Sequence, residues 1–411
     1  MQHDLTRGPI TRTMLLFAGP MIAGNLLQQF YNIADTLIVG QFLGAQALAA
    51  VGSAFTLMTF LTSILLGLCM GSGAVFSIRY GERNEEKLKS SIFVSFVMIA
   101  LVTLVMNLLV FLLIDPIIRF MNIPSDVYGM MRDYLWVIFA GIGFVFLYND
   151  FAALLRAVGN ALVPLLFLAV SAVTNIVLDL LFVAVFHWGV ASAALATIIS
   201  QILSAALAFR KLMSVDTMYK VTLRKVRFDL PMLKQIVTLG IPSGVQNSVI
   251  SLANVIVQAN INAFGADAMA GCGTYYKLEG FAFLPVTCFA LALSTFISQN
   301  IGAEKYDRVK AGMKFGLICS PVLAECIGIL FYIFAPYLIG AFNSNPDVIA
   351  FGVQQARTLS LFYCLLSYSH CCAGILRGFG RPIIPMIIML ADWCLFRITY
   401  ITIEVRIITN I

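Results

Sequence analysis

The sequence predicts an all-α polytopic membrane protein built as two six-helix bundles. Three observations carry that reading: an extreme apolar composition, a series of long uncharged runs, and an internal repeat. Hydrophobic residues make up 60% of the 411 and charged residues 11%, with a mean hydropathy of +0.93. A soluble domain is about half apolar and a quarter charged. The balance therefore excludes a water-soluble globule, and with it disorder and a secreted disulfide scaffold. The nine cysteines fall singly inside apolar runs apart from Cys371-Cys372, without CxxC or zinc spacing, and read as small buried hydrophobes. No cofactor is implied. Nor does the net charge of +6 read as a nucleic-acid surface, because the basic residues are confined to short segments between the runs.

A bilayer core of about 30 Å needs about 20 apolar helical residues, and the alternation of a transmembrane β-barrel is absent. Eleven runs reach that scale, at 13–39, 48–78, 91–114, 133–155, 162–186, 189–209, 236–263, 268–299, 315–342, 358–376 and 383–403. The first follows Arg7 and Arg12 but is too long, and too rich in Asn, Gln and Asp, for a cleavable signal peptide. It reads as a permanent helix. With the N-terminus in the cytoplasm, twenty of the 26 Lys and Arg residues fall inside, among them Arg79, Arg83, Arg156, Lys305, Arg308 and Arg377. The turns at 39–47, 264–269 and 335–347 then hold none, as the positive-inside rule requires. The expected location is the cell membrane.

Compared with itself, the chain repeats at a spacing of about 221 residues. Gly44, Gly52 and Gly81 recur as Gly265, Gly273 and Gly302, and Leu155-Arg156 with Gly159 and Pro164 recurs as Leu376-Arg377 with Gly380 and Pro385. Pro20, Asn25 and Asn32 recur as Pro242, Asn247 and Asn254, one residue out of that register. The chain divides into an N-terminal six-helix bundle at 1–210, a linker at 211–233 and a C-terminal bundle at 234–411. Six helices per half is an even number, so the halves are expected to be related by a pseudo-two-fold along the membrane normal. The second half counts only five runs, and the twelfth helix is expected to be missing.

An ionisable group at mid-bilayer costs at least about 2.5–3.5 kcal/mol on insertion scales, so each one needs a reason. Asn25, Gln28, Asn32 and Asp35 are spaced 3, 4 and 3 residues apart, on one helical face with Tyr31 beside Asp35. The fifth run carries Asp179 with Asn175 one turn earlier, and the sixth carries Thr197 and Gln201. Asp35, Asn175, Asp179 and Thr197 form a set of oxygen ligands suited to Na⁺ or to a shared proton. Two neighbouring buried carboxylates cannot both ionise cheaply, which makes the pair a usable proton switch. The seventh run has a polar stripe including Asn247, Asn254, Gln258 and Asn262 but no acid: Val257 is the counterpart of Asp35, and Tyr400 of Asp179. Asn32, Asn149, Asp150, Asn247, Asn254, Gln258 and Glu279 are candidates for a substrate cavity. Glu325 is a weaker one, and lone His370 reads as a packed core histidine. Glycines spaced four apart at Gly67/Gly71, Gly240/Gly244 and Gly374/Gly378 permit close backbone approach.

With Gly19-Pro20 and the Asp35 helix, Gly240-Ile241-Pro242 opening the second half, Gln299-Asn300-Ile301-Gly302-Ala303 and the paired Leu-Arg-x-x-Gly motifs, the chain resembles the multidrug and toxic compound extrusion (MATE) family. Within it the chain looks like the bacterial branch of DNA-damage-inducible efflux proteins, with a cation site in the N-terminal bundle. The resemblance implies that Gln28, Tyr31, Asp35, Asn175, Asp179 and Thr197 bind H⁺ or Na⁺, whose entry drives export of amphipathic, mostly cationic compounds. Partners are then small organic cations and the lipid bilayer, with no nucleic acid and a monomer expected. The alternative is a flippase for lipid-linked oligosaccharide or another amphiphile, but a pyrophosphate needs Arg or Lys in the cavity. In the span interiors Lys277 and Arg357 are counted against Asp35, Asp150, Asp179, Glu279 and Glu325, a tally that favours a cationic or zwitterionic passenger. No HExxH, GxSxG or P-loop is present, so no enzyme is expected.

Overall fold

In hydrocarbon a backbone must satisfy its own hydrogen bonds, and apolar runs of this length do so as α-helices. The computed structural model describes residues 4–409 except 122, 215–217, 221–227, 262–265 and 343–344. The first half contains α1 (Ile10–Gly81), α2 (Glu85–Phe120), α3 (Ser125–Ala157), α4 (Leu162–Asp179) and α5 (Gly189–Ser214). The second contains α6 (Leu230–Ile261), α7 (Ala266–Gly302), α8 (Tyr306–Gly340), α9 (Pro346–Ser360), α10 (Tyr363–Gly378), α11 (Ile383–Met389) and α12 (Arg397–Thr409). Two π-helical segments, Leu180–Val185 and Leu390–Phe396, continue α4 and α11. Part of the expected linker, 215–217 and 221–227, lies outside the described residues.

Twelve α-helices are thus present among the described residues, and the expectation of a missing twelfth is corrected. It came from equating apolar runs with helices. The first two runs are one 72-residue helix, while the run expected at 358–376 belongs to two helices, α9 and α10, bent by 55°. The last run is divided among α11, a π segment and α12. Counted as spans, ten described helices are long and apolar enough to cross a membrane, and the bent α9–α10 pair makes an eleventh.

At 1.5 Å per residue α1 is about 108 Å long, more than three times a bilayer core. It folds back at Gly44, whose φ of 85° and ψ of −175° suit a residue without Cβ. The spans Ile10–Gly44 and Gln46–Gly81 result. Polar side chains open two of the helices: Asn84 accepts from the Lys87 N–H to start α2, and Asn345 from the Asp347 N–H to start α9. Glu325 on α8 accepts from the Cys364 N–H at the α9–α10 break, 3.1 Å away, which gives this membrane acid a structural use. Leu101, Leu104, Leu108 and Leu112 of α2 form an exposed stripe at helical spacing, the surface expected against lipid.

The two halves meet backbone to backbone. A Cβ on Gly67 would run into Gly244, and one on Gly71 into Gly240, so α1 and α6 approach as closely as their main chains allow. Beside them the Ser63 and Ser248 hydroxyls hydrogen-bond each other. Further along, Gly81 meets the Gln299 carbonyl and Gly302 the Ile78 carbonyl. Arg79 donates to Gln235 at 2.9 Å, and Gln299 donates to the Ala157 carbonyl at 2.5 Å. These ties lie at the end of the molecule that carries the basic residues. There residues 4–8 form a strap: Leu5 is buried with Phe17 among Phe289 and Phe296 of α7. Asn300 and Arg308 donate to the Leu5 carbonyl, Lys305 to that of Thr6, and Arg308 also to those of Arg7 and Gly8. Towards the other end, Phe30 and Phe281 touch across the halves with ring centroids 5.6 Å apart.

Gly240→Leu should lower the unfolding midpoint of the purified protein in detergent, losing at least about 1–3 kcal/mol through overpacking at α1–α6. Gly52→Ala, at an exposed helical glycine with nothing within 4 Å of the added Cβ, should leave the midpoint unchanged or raise it.

Candidate functional site

Three elements of the first half converge on the predicted cation residues. Asp35 and Tyr31 come from the first arm of α1, and Asn175 and Asp179 from the last turn of α4, before the backbone passes into its π-helical segment. Thr197 comes from α5. Asp179 and Asn175 are buried, at 0% and 1% exposure. Asn175 Nδ2 donates to Thr197 Oγ1 at 3.3 Å, which fixes the amide with its oxygen turned away. Asp35 Oδ1, Asn175 Oδ1 and both Asp179 oxygens are buried without a hydrogen-bond partner. The Asp35 and Asp179 carboxyl groups are neighbours that act on each other electrostatically, with no hydrogen bond between them. Four buried acceptor oxygens without donors are an unmet demand for positive charge. A proton or a small hard cation meets it, and the all-oxygen donor set excludes a soft metal. Among the described residues no group of three or more His, Cys, Asp and Glu side chains could hold a metal ion.

Tyr134 on α3, buried at 6% exposure, interacts electrostatically with Asp35, Tyr31 and Asp179. Sequence reasoning missed it because it opens its run without a polar neighbour at helical spacing; only the packing of α3 against α1 brings it in.

Next to this group is a cavity of about 290 Å³ lined by Gln28, Tyr31, Thr197 and Asn149, together with Gln201 and Arg156. Asp35, Asn175 and Asp179 are not among its lining residues. Arg156, marked in the sequence as a basic inside residue and as part of the repeated Leu-Arg motif, is half-buried on that wall. The other substrate candidates are dispersed. Asp150 is fully buried away from this cavity, with Oδ1 accepting from Ser95 at 2.8 Å, and Asn32 donates to Gln29. Asn247 is half-buried on α6 and lines neither this cavity nor the larger one below. The side chain of Gln258 and all of Asn262 lie outside the described residues. Asn254 and Glu279 line a larger cavity in the second half, of about 910 Å³. His370, expected to be a packed core residue, is half-buried against Phe283 and lines the same cavity. Lys277 and Arg357 are both exposed.

Comparison with known proteins follows the same division into halves. A profile of the MatE family matches residues 20–181 and 242–402, one segment in each half. The chain belongs to the MatE family. Among MatE relatives, the "Probable multidrug resistance protein YpnP" of Bacillus subtilis (strain 168) is 29% identical over 401 residues, covering 96% of this chain and 88% of that one. The "Multidrug export protein MepA" of Staphylococcus aureus (strain MW2) is 24% identical over 380 residues, covering 91% and 83%. The "FAD transporter" of Shewanella oneidensis is 24% identical over 403 residues, covering 95% and 87%. The fold matches a "Crystal structure of MATE in complex with MaL6" with a TM-score of 0.92 at 22% identity, over 98% of this chain and 90% of the other. An "Outward-facing conformation of a multidrug resistance MATE family transporter of the MOP superfamily" matches at 0.90, also at 22% identity, over 98% and 90%. The MatE chain is thus a multi-pass membrane carrier rather than an enzyme.

If the donorless oxygens hold a cation, a ligand bound only by the folded state must stabilise it, by about 2.7 kcal/mol at a hundred times its dissociation constant. Raising Na⁺, or lowering pH in its absence, should therefore raise the unfolding midpoint of the wild type. Asp179→Asn should remove most of that rise, and Tyr134→Phe should reduce it.

Proposed function

We propose that this protein is a secondary active exporter that expels amphipathic, mostly cationic compounds across the cell membrane in exchange for H⁺ or Na⁺. The observation that carries the reading is the set of four buried oxygens without donors on Asp35, Asn175 and Asp179. Family membership and the printed activities of the multidrug relatives support it. The coupling residues are Asp35 and Asp179, with Asn175 and Thr197 completing an oxygen shell and Tyr31, Tyr134 and Gln28 at its edge.

Coupling requires that the ion bind two conformations with different affinity, since equal affinity shifts nothing. The basic end is taken as cytoplasmic by the positive-inside rule. The conformation described is then shut towards the cytoplasm by the α1–α6 and α1–α7 contacts and by the 4–8 strap. The moving bodies are the halves 1–210 and 234–411. In the alternative conformation those contacts part, the strap loses its Arg308 and Asn300 donors, and the cavities face inward. Protonation or Na⁺ binding at Asp35–Asp179 cancels the buried negative charge and changes how α1 packs against α4, which biases the two conformations differently. Release of substrate outside is thereby linked to entry of the ion.

Efflux of ethidium from vesicles with pH and sodium gradients imposed separately tests the proposal and separates the two ions. Wild-type protein should pump with one of them, and Asp35→Asn should reduce gradient-driven efflux at least about tenfold; undiminished pumping by the variant overturns the assignment. Arg308→Ala should weaken the cytoplasmic closure, which would be measured as faster alkylation of a cysteine placed at Ala303.

A further inference from the structure

The two cavities are copies of one design. Positions about 221 residues apart line both, the repeat spacing of the sequence. Met58, Thr62 and Asn149 of the first cavity correspond to Glu279, Phe283 and His370 of the second. Ile138 and Val145 correspond in the same way to Leu359 and Leu366. A cavity lined at the same repeat positions in both halves belongs to the architecture and is not an accident of loose packing. What differs is the chemistry. The first cavity carries neutral polar groups and one cation, Arg156, whereas the second carries a carboxylate and a guanidinium on an aromatic wall.

Each of those two charges is held from one side and left free on the other. Tyr275 donates to Glu279 Oε1 at 2.7 Å, and the Tyr275 hydroxyl is in turn 3.1 Å from that of Tyr363. Among the described residues Glu279 Oε2 has no such partner, although it is not sealed off. Arg397 donates through Nη1 to Asn254 Oδ1 at 3.0 Å and lies 4.9 Å over the Trp393 ring. Both partners are neutral. Glu279 and Arg397 line the same cavity, yet no ion pair among the described residues joins them. Asp392 also lines the cavity, as an exposed second carboxylate. Glu279 and Arg397 act on each other across the cavity without touching, and two opposite charges so placed are satisfied together by one occupant with two complementary poles. The volume of about 910 Å³ suits an organic molecule of drug size, and Tyr276, Phe283, Trp393 and Phe396 supply faces for an aromatic body. A bare inorganic cation is not the occupant this cavity is built for. The repeat position of Asp179 is Tyr400 here, and Arg397 stands where the first half has Ile176.

We propose that the cavity of the second half binds aromatic amphiphiles carrying both an amine and a carboxylate, the amine on Glu279 and the carboxylate on Arg397. This rests on the reading of the chain as an exporter of amphiphiles and gives that reading a second, zwitterion-selective site. Rhodamine 110, a zwitterion at neutral pH, and rhodamine 123, its methyl ester and a cation, differ in one masked carboxylate. Their binding to the purified full-length protein is followed by fluorescence anisotropy. The wild type should bind rhodamine 110 more tightly than rhodamine 123. Arg397→Gln should weaken rhodamine 110 about tenfold or more and leave rhodamine 123 unchanged, Arg397→Lys should restore part of the loss, and Glu279→Gln should weaken both dyes. Equal losses for the two dyes in Arg397→Gln, or unchanged binding of both in Glu279→Gln, would overturn the proposal. Gradient-driven ethidium efflux is read in parallel. Its absence from the wild type overturns the exporter reading, whereas the anisotropy series reports on the cavity alone.

Discussion

Everything functional in this molecule depends on how closely α1 and α6 approach. Hydrocarbon gives no hydrophobic reward for joining two helices, so the halves must be held by close packing and by polar contacts. Glycines 67, 71, 240 and 244 bring the two main chains together, and the Ser63–Ser248 pair and the Gln299 and Arg79 side chains extend the seam towards the basic end. The seam fixes the distance between the two bundles, and apolar side chains pack across it, Ile236 and Leu239 into the core of the first half and Phe17 into that of the second. It also sets which end of the cleft is shut. A transporter needs such a contact to be firm yet separable, and backbone contact at the four glycines holds the helices close with no side chains to interlock at that point.

Within each bundle the polar groups follow a second rule, that charge is kept where its natural partner is absent. Asp35 and Asp179 face each other rather than an arginine, Glu279 rests on a tyrosine, and Arg397 on an asparagine and an indole. Pairing these groups internally would make a quieter protein, because each would then be satisfied without a visitor. Leaving them unpaired costs stability and creates affinity for whatever supplies the missing charge. The first half does so with oxygens alone, on the scale of an ion. The second does so with two poles across an aromatic space, on the scale of an organic molecule.

Much of this was legible in the sequence, and the limits have physical causes. Composition and run length gave the class, and the 3-4-3 spacing of Asn25, Gln28, Asn32 and Asp35 marked a polar helix face, because helical periodicity is written directly into a sequence. Asn175, Asp179 and Thr197 were found by the same means. Tyr134 was not, since its place in the site depends on how α3 packs against α1. Asp392 and Arg397 passed unremarked as a polar interruption of the last run, because the π-helical segment that places them around Trp393 leaves no periodic trace. Glu325 was a candidate for substrate contact until the break between α9 and α10 gave it a backbone N–H to accept from. Helix number failed for a related reason. A count of apolar runs sees neither a hinge such as Gly44, which keeps two spans in one helix, nor a 55° bend, which makes two helices of one span.

The strap at residues 4–8 has a practical consequence. Its carbonyls are gripped by Asn300, Lys305 and Arg308, and its Leu5 is seated between α1 and α7, so the chain enters the molecule through the seam rather than beside it. Residues 4–8 thus sit at the mouth of the closed end, like a wedge in a door. A bulky fusion there would prop the cleft on that side, and a protein carrying one would report the energetics of its attachment together with its own.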